Sequence, residues 1–377
     1  MIQTPCNYSL KILTARINRK QQECAPGMTL GEDVANHPAL RYNSDMSWDI
    51  CGHDHVIRLL KEHTNPDKLR HAYLLSGPQG IGRRTLALEF IKALNCTQPE
   101  EPGVPCGKCV ACQQIARMNY ADLTVVQALE GHKDIRIEQV RELLRTINLA
   151  PYQSKYRVAL FLDFQKTTSG AANALLKTLE EPPPKALLIL TTDAQESLLP
   201  TIVSRCEVVR LRPLTVEKAE KYLVEAKGIA PVDASLLAHV TSGRIGAALK
   251  LYEDPQALKL RAQLFDDLAD LLGASRRTRF AYIEGQMKRG KSGRDNMAEM
   301  INIWLTFWRD VNITATGASV PLVNIDQEAL VRSTASRVSL AQTREIMASL
   351  EEALGQLDVY VNSRLLAENL VLLWPKI

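Results

Sequence analysis

The sequence contains a glycine-rich segment whose spacing suits the binding of phosphate groups. It reads SGPQGIGRRT over residues 76–85, with glycines at 77, 80 and 82. An apolar run, predicted to be a buried strand, precedes it, and a stretch with helical periodicity follows it. In a turn of this kind the backbone N–H groups and the positive end of the helix face a bound phosphate. The residue types therefore predict a nucleotide-phosphate site at Gly77, Gly80 and Gly82.

The residues after these glycines differ from those of a working nucleotide site. The pattern needs Lys and then Ser or Thr directly after the last glycine. Here Arg83 stands in the lysine position and Arg84 replaces the hydroxyl that would bind magnesium. Thr85 comes one residue too late, about 100° further round the helix. We predict a degenerate nucleotide site that includes Arg83 and Thr85; the alternative is a glycine-rich turn without a ligand.

A second part of the same site is predicted at the end of a buried strand over residues 157–163. In a working ATPase such a strand ends in Asp-Glu, where Asp holds magnesium through water and Glu polarises the attacking water. Asp163 is present, but Phe164 stands where the glutamate would be. Asp163 is therefore a candidate site residue, and the general base is missing.

Four of the eight cysteines crowd into one short segment. Cys96, Cys106, Cys109 and Cys112 have the spacing C-x9-C-x2-C-x2-C, with Pro and Gly between them. Four thiolates that converge on one tetrahedral centre form a structural zinc site, with no open position for catalytic water. An iron-sulfur cluster uses similar spacing. We predict one structural Zn²⁺ ion.

Length and composition limit the classes of protein that fit. A chain of 377 residues with 46% hydrophobic residues is large enough for two or three domains with real cores. The net charge of +4 is mild, so nucleic-acid contact would need a local patch. No apolar run has the length of a membrane span and no signal peptide opens the chain, so a soluble, cytoplasmic protein is expected.

Strands and helices alternate along residues 71–212. Apolar runs at 71–75, 122–126, 157–163 and 186–192 are separated by segments with helical periodicity. This order predicts a parallel sheet with helices on both faces. Residues 1–45 lack such periodicity and are predicted to be an extension without a fold of its own, or the result of a start codon assigned before Met46.

Several motifs together resemble the AAA+ clamp-loader subunits of bacterial DNA polymerase III. The similarity covers residues 46 to about 215. The motifs are HAYLL at 71–75 with the glycine loop, the cysteine segment 96–112, APYQ at 150–153, ANALLKTLEEPP at 172–183 and SRC at 204–206. The fold that this resemblance implies is an α/β AAA+ P-loop NTPase domain with an inserted zinc module, a small helical lid domain and an all-α C-terminal collar domain.

Within this family, the chain is more similar to the delta prime class of subunit, which does not hydrolyse ATP, than to the gamma/tau motor. Motor subunits carry an intact Lys-Thr loop, an Asp-Glu strand end and an arginine in the lid, where this chain has Gly246. The retained arginine of the SRC motif reaches a neighbour's ATP in the family. The resemblance therefore implies that Arg205 is a catalytic residue supplied in trans.

The resemblance also implies domains and partners. We expect an AAA+ domain over residues 46–212 with its zinc module at 96–112, a lid over 213–254 and a collar over 255–377. The helices of the collar include an apolar stripe at 296–309 and a helix that starts with a capping box at Ser339 and runs towards Leu373. The expected partners are gamma/tau and delta subunits in a pentameric ring, the sliding clamp and primer-template DNA.

Two other functions remain open at this level. The chain could be an active gamma/tau-like ATPase in which Arg83 replaces lysine, although a planar guanidinium does not imitate a compact ammonium. It could also be a zinc-containing DNA-binding protein, although Lys108 is the one basic residue within the cysteine segment. We expect a subunit of the polymerase III holoenzyme without ATPase or polymerase activity of its own.

Overall fold

The structure is a computed structural model, and it describes Trp48 and residues 50–288, 293–357 and 363–376. The predicted extension at residues 1–45 lies outside these ranges. The described residues form two compact units. One extends to Thr215 and includes Arg244–Ala247, and the other comprises Val216–Gly243 and the residues from Ala248 onward.

The first unit contains a five-stranded sheet in which every pair of neighbouring strands is parallel. The strands are β1 (Ala72–Ser76), β2 (Leu123–Val126), β3 (Arg157–Phe161), β4 (Ala186–Thr192) and β5 (Glu207–Arg210). Their order across the sheet is β2-β3-β4-β1-β5, and the register pairs Ala72 with Leu188 and Tyr73 with Glu207. The predicted parallel sheet is confirmed.

Helices cover both faces of this sheet. They are α1 (Asp54–Glu62), α2 (Arg83–Asn95), α3 (Val110–Ala116), α4 (Ile137–Ile147), α5 (Ser169–Glu180) and α6 (Pro200–Val203). Successive residues of a strand face opposite sides, so Tyr73 and Leu75 join the core beneath α1 to α3, while Ala72 and Leu74 join the core beneath α4 to α6. Because both faces are covered, β1 and β4 are buried along their whole length.

The cysteine segment begins directly after α2 and ends within the first turn of α3. Trp48, which is buried against the core of the sheet, donates a hydrogen bond from its indole Nε1 to the carbonyl oxygen of Gly103 over 2.9 Å. Gly103 has φ of 78° and lies against the C-terminal part of α1, where an added Cβ would come within 3.1 Å of the Lys61 carbonyl oxygen. The cysteine segment is thus attached to the body of the domain.

The second unit is helical. Its helices are α7 (Val216–Glu225), α8 (Pro231–Val240), α9 (Ile245–Glu253, whose first residues belong to the other unit), α10 (Pro255–Gly273), α11 (Arg276–Lys288), α12 (Gly293–Thr316), α13 (Glu328–Ala335), α14 (Leu340–Leu357) and α15 (Ser363–Leu372). The predicted apolar stripe at 296–309 lies in α12, where Trp304 and Trp308 are fully buried.

Two features of this unit fix its helix ends. The predicted capping box is confirmed, since Ser339 Oγ accepts from the Gln342 N–H and the Gln342 side chain accepts from the Ser339 N–H. The buried Arg279 donates to carbonyl oxygens at the C-terminal ends of α10 and α15, at Leu271 and Val371 among others. The helix expected to run towards Leu373 is described as α14 and α15, with residues 358–362 outside the described ranges.

None of the helices in the described ranges is both long enough and apolar enough to cross a membrane.

A buried carboxylate organises the loop that leads into β3. Asp122, which is 1% exposed, accepts hydrogen bonds from the backbone N–H groups of Tyr152, Gln153 and Ser154 and from the Arg157 guanidinium. Burial alone would raise the pKa of Asp122, but these hydrogen bonds outweigh it and lower the pKa from 3.8 to about 2. Hydrogen bonds to the charged form have this effect. The loop is therefore held by an ionised group.

We predict that Asp122→Asn lowers the free energy of unfolding by about 2 to 3 kcal/mol at neutral pH. The NH₂ group of the amide would face the N–H groups of the loop, which then lose an acceptor. A group whose pKa is lowered by folding stabilises the fold at pH values above its unfolded pKa. In the wild-type chain this stabilisation is present above about pH 4 and disappears as the pH falls through about 2.

Denaturant unfolding measured at neutral and at acid pH tests this prediction. The exposed Asp134 provides a matched control, and Asp134→Asn is expected to change stability by less than about 0.5 kcal/mol. Equal stability of Asp122→Asn and the wild-type chain at neutral pH would contradict the prediction.

Candidate functional site

The glycine loop lies between β1 and α2, as the sequence predicts. Gly80 and Gly82 have φ values of 79° and 104°, a region that residues with a Cβ rarely adopt. Gly82 is the N-cap residue of α2. Gly77 is required for a different reason, since a Cβ there would lie 2.7 Å from the carbonyl oxygen of Leu211. The backbone of this loop therefore requires glycine at all three positions.

Arg83 does not extend into solvent from this loop. Its side chain is 7% exposed, and its Nη2 atom lies 3.1 Å from Asp163 Oδ1 and 2.6 Å from Asp193 Oδ1. Asp163 also contacts Lys166, whose Nζ lies 3.2 Å from Oδ2. Two carboxylates and two cations thus form one network, and their formal charges cancel.

Asp193 is a member of this site that the sequence reasoning missed. It is the first residue after β4, and Asp163 is the second residue after β3. Because β3 and β4 are parallel neighbours, their carboxyl ends meet at one edge of the sheet. The acidic residue just after each of these two strands was the sequence signal that could have identified Asp193. The two carboxylates converge on Arg83 at the start of α2.

The structure also places the other residues of the predicted nucleotide site. Phe164 is buried, with its ring edge-on to Phe161 at a centroid distance of 5.4 Å. Arg84 and Thr85 are exposed on the first turn of α2. Thr191 is buried, and its hydroxyl accepts the Asp163 N–H over 2.9 Å. The Thr191 hydroxyl therefore holds the backbone of Asp163.

A short segment of the same unit, Arg244–Ala247, packs directly on the glycine loop. The Ala247 N–H donates to the Gly80 carbonyl oxygen over 3.1 Å, and Arg244 Nη1 donates to the carbonyl oxygen of Gln79 over 3.3 Å. A Cβ at Gly246 would lie 2.8 Å from the Gly80 oxygen. Glycine at 246 thus permits two backbones to touch beside the predicted phosphate position.

The four predicted cysteine ligands come together. Their sulfur atoms all lie within 4.8 Å of one another, with 3.5 Å between Cys96 and Cys106 and 3.9 Å between Cys96 and Cys109. Four sulfurs at about 2.3 Å from a tetrahedral Zn²⁺ ion would be about 3.8 Å apart. The residues therefore fit a metal ion, and Cys96, Cys106, Cys109 and Cys112 can bind one.

Backbone N–H groups point at these sulfurs. The N–H of Cys109 donates to Cys106 Sγ over 3.3 Å, and that of Cys112 donates to Cys109 Sγ over 3.5 Å. Burial alone would raise the pKa of Cys109, but hydrogen bonds from the Cys112 N–H and from Thr97 outweigh it and bring the pKa to about 6. At Cys109 this donor pattern favours the thiolate, the form that binds metal, whereas burial raises the pKa of Cys96 and of Cys112.

Arg205 lies at the opposite edge of the sheet from the glycine loop. It precedes the amino end of β5, whereas the loop follows the carboxyl end of the parallel neighbour β1. The length of the strands, at roughly 3.3 Å per residue, separates the two by about 10 Å or more. Arg205 Nη2 contacts Glu180 Oε1 at 2.6 Å, and Nη1 donates to the Thr201 carbonyl oxygen over 2.9 Å. Arg205 therefore lies too far from the glycine loop of its own chain to contact a phosphate bound there.

Comparison with known proteins agrees with the motifs. A family model described as DNA polymerase III, delta subunit, matches residues 52–215. The delta' subunit of Bacillus subtilis DNA polymerase III is 31% identical over 324 residues, which are 84% of this chain and 94% of that protein.

Two further proteins are similar over different lengths. The tau/gamma subunit of Haemophilus influenzae DNA polymerase III is 32% identical over 60% of this chain, and the match spans about a third (33%) of the length of that relative. The solved structure of the Bacillus subtilis DNA clamp loader delta protein covers 84% of this chain and 98% of that one, at 11% identity and a TM-score of 0.34. From the sequence relatives, and above all from the match to nearly all of the Bacillus subtilis delta' subunit, the chain belongs to the family of bacterial DNA polymerase III clamp-loader subunits.

Proposed function

We propose that this chain is a clamp-loader subunit of the delta prime type, which does not hydrolyse ATP itself and helps to load the sliding clamp onto primed DNA. The single observation that carries the proposal is the pairing of Arg83 with Asp163 and Asp193. The match to nearly the whole length of the Bacillus subtilis delta' subunit supports it.

The Arg83 network removes the electrostatic basis of a magnesium site. Magnesium is held by carboxylates and by the phosphates of its substrate. Here the carboxylate of Asp163 already contacts two cations, Arg83 and Lys166. Phe164 offers no proton acceptor to polarise water, and Arg84 no hydroxyl for the metal. The chain would therefore lack the groups that hydrolyse Mg²⁺-ATP.

The contact of Arg244–Ala247 with the glycine loop supports the same function. The motor subunits of the family carry an arginine at the position that Gly246 occupies here. In this chain the backbone of that segment bonds to Gly80 instead. The segment therefore stabilises the loop without a nucleotide, as expected for a fixed member of a ring.

Arg205 is the catalytic group that this chain is proposed to provide. Its distance from its own loop means that it can act only on a nucleotide bound by another subunit. An arginine in this role neutralises the charge that develops on the transferred phosphate. We propose that the recipient is a gamma/tau subunit next to this chain in a pentameric ring that also includes delta.

The remaining assignments complete the proposal. Zn²⁺ at the four cysteines would be structural, since four protein ligands leave no position for water. Residues 46–212 would be the AAA+ domain, 213–254 the lid and 255–377 the collar that closes the ring. The protein would work in the cytoplasm, where it meets the clamp and primer-template DNA. An active gamma/tau-like ATPase is the alternative.

We predict that the purified chain contains about one zinc ion, and that Cys109→Ser loses most of it, because three thiolates bind the metal much more weakly than four. Elemental analysis measures the metal, and hydrogen exchange measures the stability of residues 96–112. Exchange should rise there while the helical C-terminal region stays protected. Cys51→Ser, outside the cluster, is the control that keeps its zinc. Metal-replete protein with iron in place of zinc would contradict the zinc assignment.

We predict that the isolated chain has no significant ATP turnover with magnesium present. Phe164→Glu alone is not expected to restore it, because Arg83 would still neutralise Asp163 and Arg84 would still replace the metal-binding hydroxyl. Phosphate release from chromatographically pure protein measures turnover. Robust turnover that is lost in Arg83→Ala would favour the gamma/tau-like alternative.

We predict that Arg205→Ala leaves folding and complex assembly intact and lowers DNA-stimulated ATP turnover and clamp loading. Loss of an arginine finger costs about 10³ to 10⁵ in rate at the one site that it serves. Total turnover falls only in part, because other sites of the ring have their own arginines. The measurement is the ATPase and clamp-loading rate of the reconstituted complex beside its elution profile. Normal clamp loading by a correctly assembled mutant complex would reduce this chain to a scaffold.

A further inference from the structure

The Arg205 side chain is held in one place on the surface although it is a third exposed. Its Nη2 atom contacts Glu180 Oε1 at 2.6 Å, and its Nη1 atom donates to the Thr201 carbonyl oxygen at 2.9 Å and to Ser204 Oγ at 3.4 Å. A guanidinium has five N–H donors. Among the residues that the structure describes, these three contacts leave Nε and one hydrogen of Nη2 for an anion from outside.

The backbone on the Glu180 side of this pair is anchored. Glu180 is the last residue of α5, and prolines at 182–184 prevent the helix from continuing. The residue before it, Leu179, is 1% exposed, and its carbonyl oxygen lies 3.0 Å from His71 Nε2. The Glu181 N–H donates to the Lys177 carbonyl oxygen. The carboxylate therefore projects from a well-defined helix end.

The backbone on the Arg205 side is anchored as well. Arg205 follows α6, and its N–H donates to the carbonyl oxygen of Ile202 over 3.1 Å. Ile202 is fully buried and belongs to the same core as Leu179. The two helix ends that carry the pair are thus fixed against one another by the core beneath them.

The position of Glu180 at a helix end favours a cation beside its carboxylate. The C-terminal end of a helix carries the negative end of the macrodipole, and a second carboxylate, Glu181, comes next in the chain. Both effects disfavour a negative charge at this position unless a cation contacts it. The guanidinium of Arg205 is that cation.

We propose that Glu180 is a positioning residue for Arg205, which it holds with the Nε edge presented to the phosphate of a neighbouring subunit. This inference rests on the role proposed for Arg205 above. A group that is already oriented needs less reorganisation when charge develops in the transition state. Glu180 itself contacts no phosphate and acts through Arg205.

The test uses the complex reconstituted from the full chain, motor and delta subunits, clamp and primed DNA. The quantity of interest is the Arg205-dependent turnover, which is the difference in kcat between the wild-type and Arg205→Ala complexes. Glu180→Gln, which removes the charge and keeps the shape, is expected to lower that difference by about two- to fivefold, the range that an exposed ion pair supports. KM for ATP is expected to stay the same, because binding uses the neighbour's own loop.

Three further variants separate positioning from a general effect. Glu181→Gln removes a charge from the same helix end without a contact to Arg205, and it should match the wild-type complex. Glu180→Asp keeps the charge on a shorter side chain and should recover part of the loss. The double variant Glu180→Gln with Arg205→Ala should equal Arg205→Ala alone, because Glu180 has nothing left to position. The elution profile of each complex confirms its assembly.

The outcomes distinguish this inference from the proposed function. If Arg205→Ala leaves turnover unchanged, the arginine-finger role is wrong, and Glu180 has no such task. If Arg205→Ala lowers turnover but Glu180→Gln does not, the positioning role alone is wrong. A rise in turnover with Glu180→Gln would mean that the carboxylate competes with phosphate, and a double variant slower than Arg205→Ala would mean that Glu180 acts elsewhere. Each of these results overturns the proposal.

Discussion

The rest of this site depends on the pairing of the buried Arg83 guanidinium with two carboxylates. A guanidinium that is 7% exposed is stabilised by nearby counter-charges, because a buried charge without a partner is costly. Asp163 and Asp193 provide these counter-charges from the ends of two adjacent strands. The network therefore ties the start of α2 to the carboxyl edge of the sheet.

The parallel sheet separates two kinds of chemistry. Loops that follow its strands meet at the edge with Arg83, and segments that precede its strands meet at the opposite edge with Arg205. The core on both faces makes the distance between these edges constant. One edge could therefore change without altering the other, so the proposed absence of hydrolysis is compatible with the role proposed for Arg205.

Local patterns predict most of this fold, whereas polar pairs between distant segments do not follow from them. The continuous apolar runs of β1 and β4, the four cysteines and the capping box at Ser339 are each encoded within a few neighbouring residues. The partners of Arg83 depend on strand order, which no single segment specifies. The same holds for Glu180 and Arg205, whose types and positions are visible in the sequence although their contact arises only when α5 packs beside α6.

The cysteine segment and the Arg83 network differ in when they can form during synthesis. All four cysteines, together with Trp48 and Gly103, precede β2 in the chain and so leave the ribosome before it does, and domains fold as the chain emerges at about 5 to 20 residues per second. A metal ion bound by these cysteines could therefore close the site on a nascent chain. Arg83 has to wait for Asp193, at the end of β4, before its charge is matched. The cysteine segment can thus become ordered first, whereas the sheet is complete only when Asp193 is available to pair with Arg83.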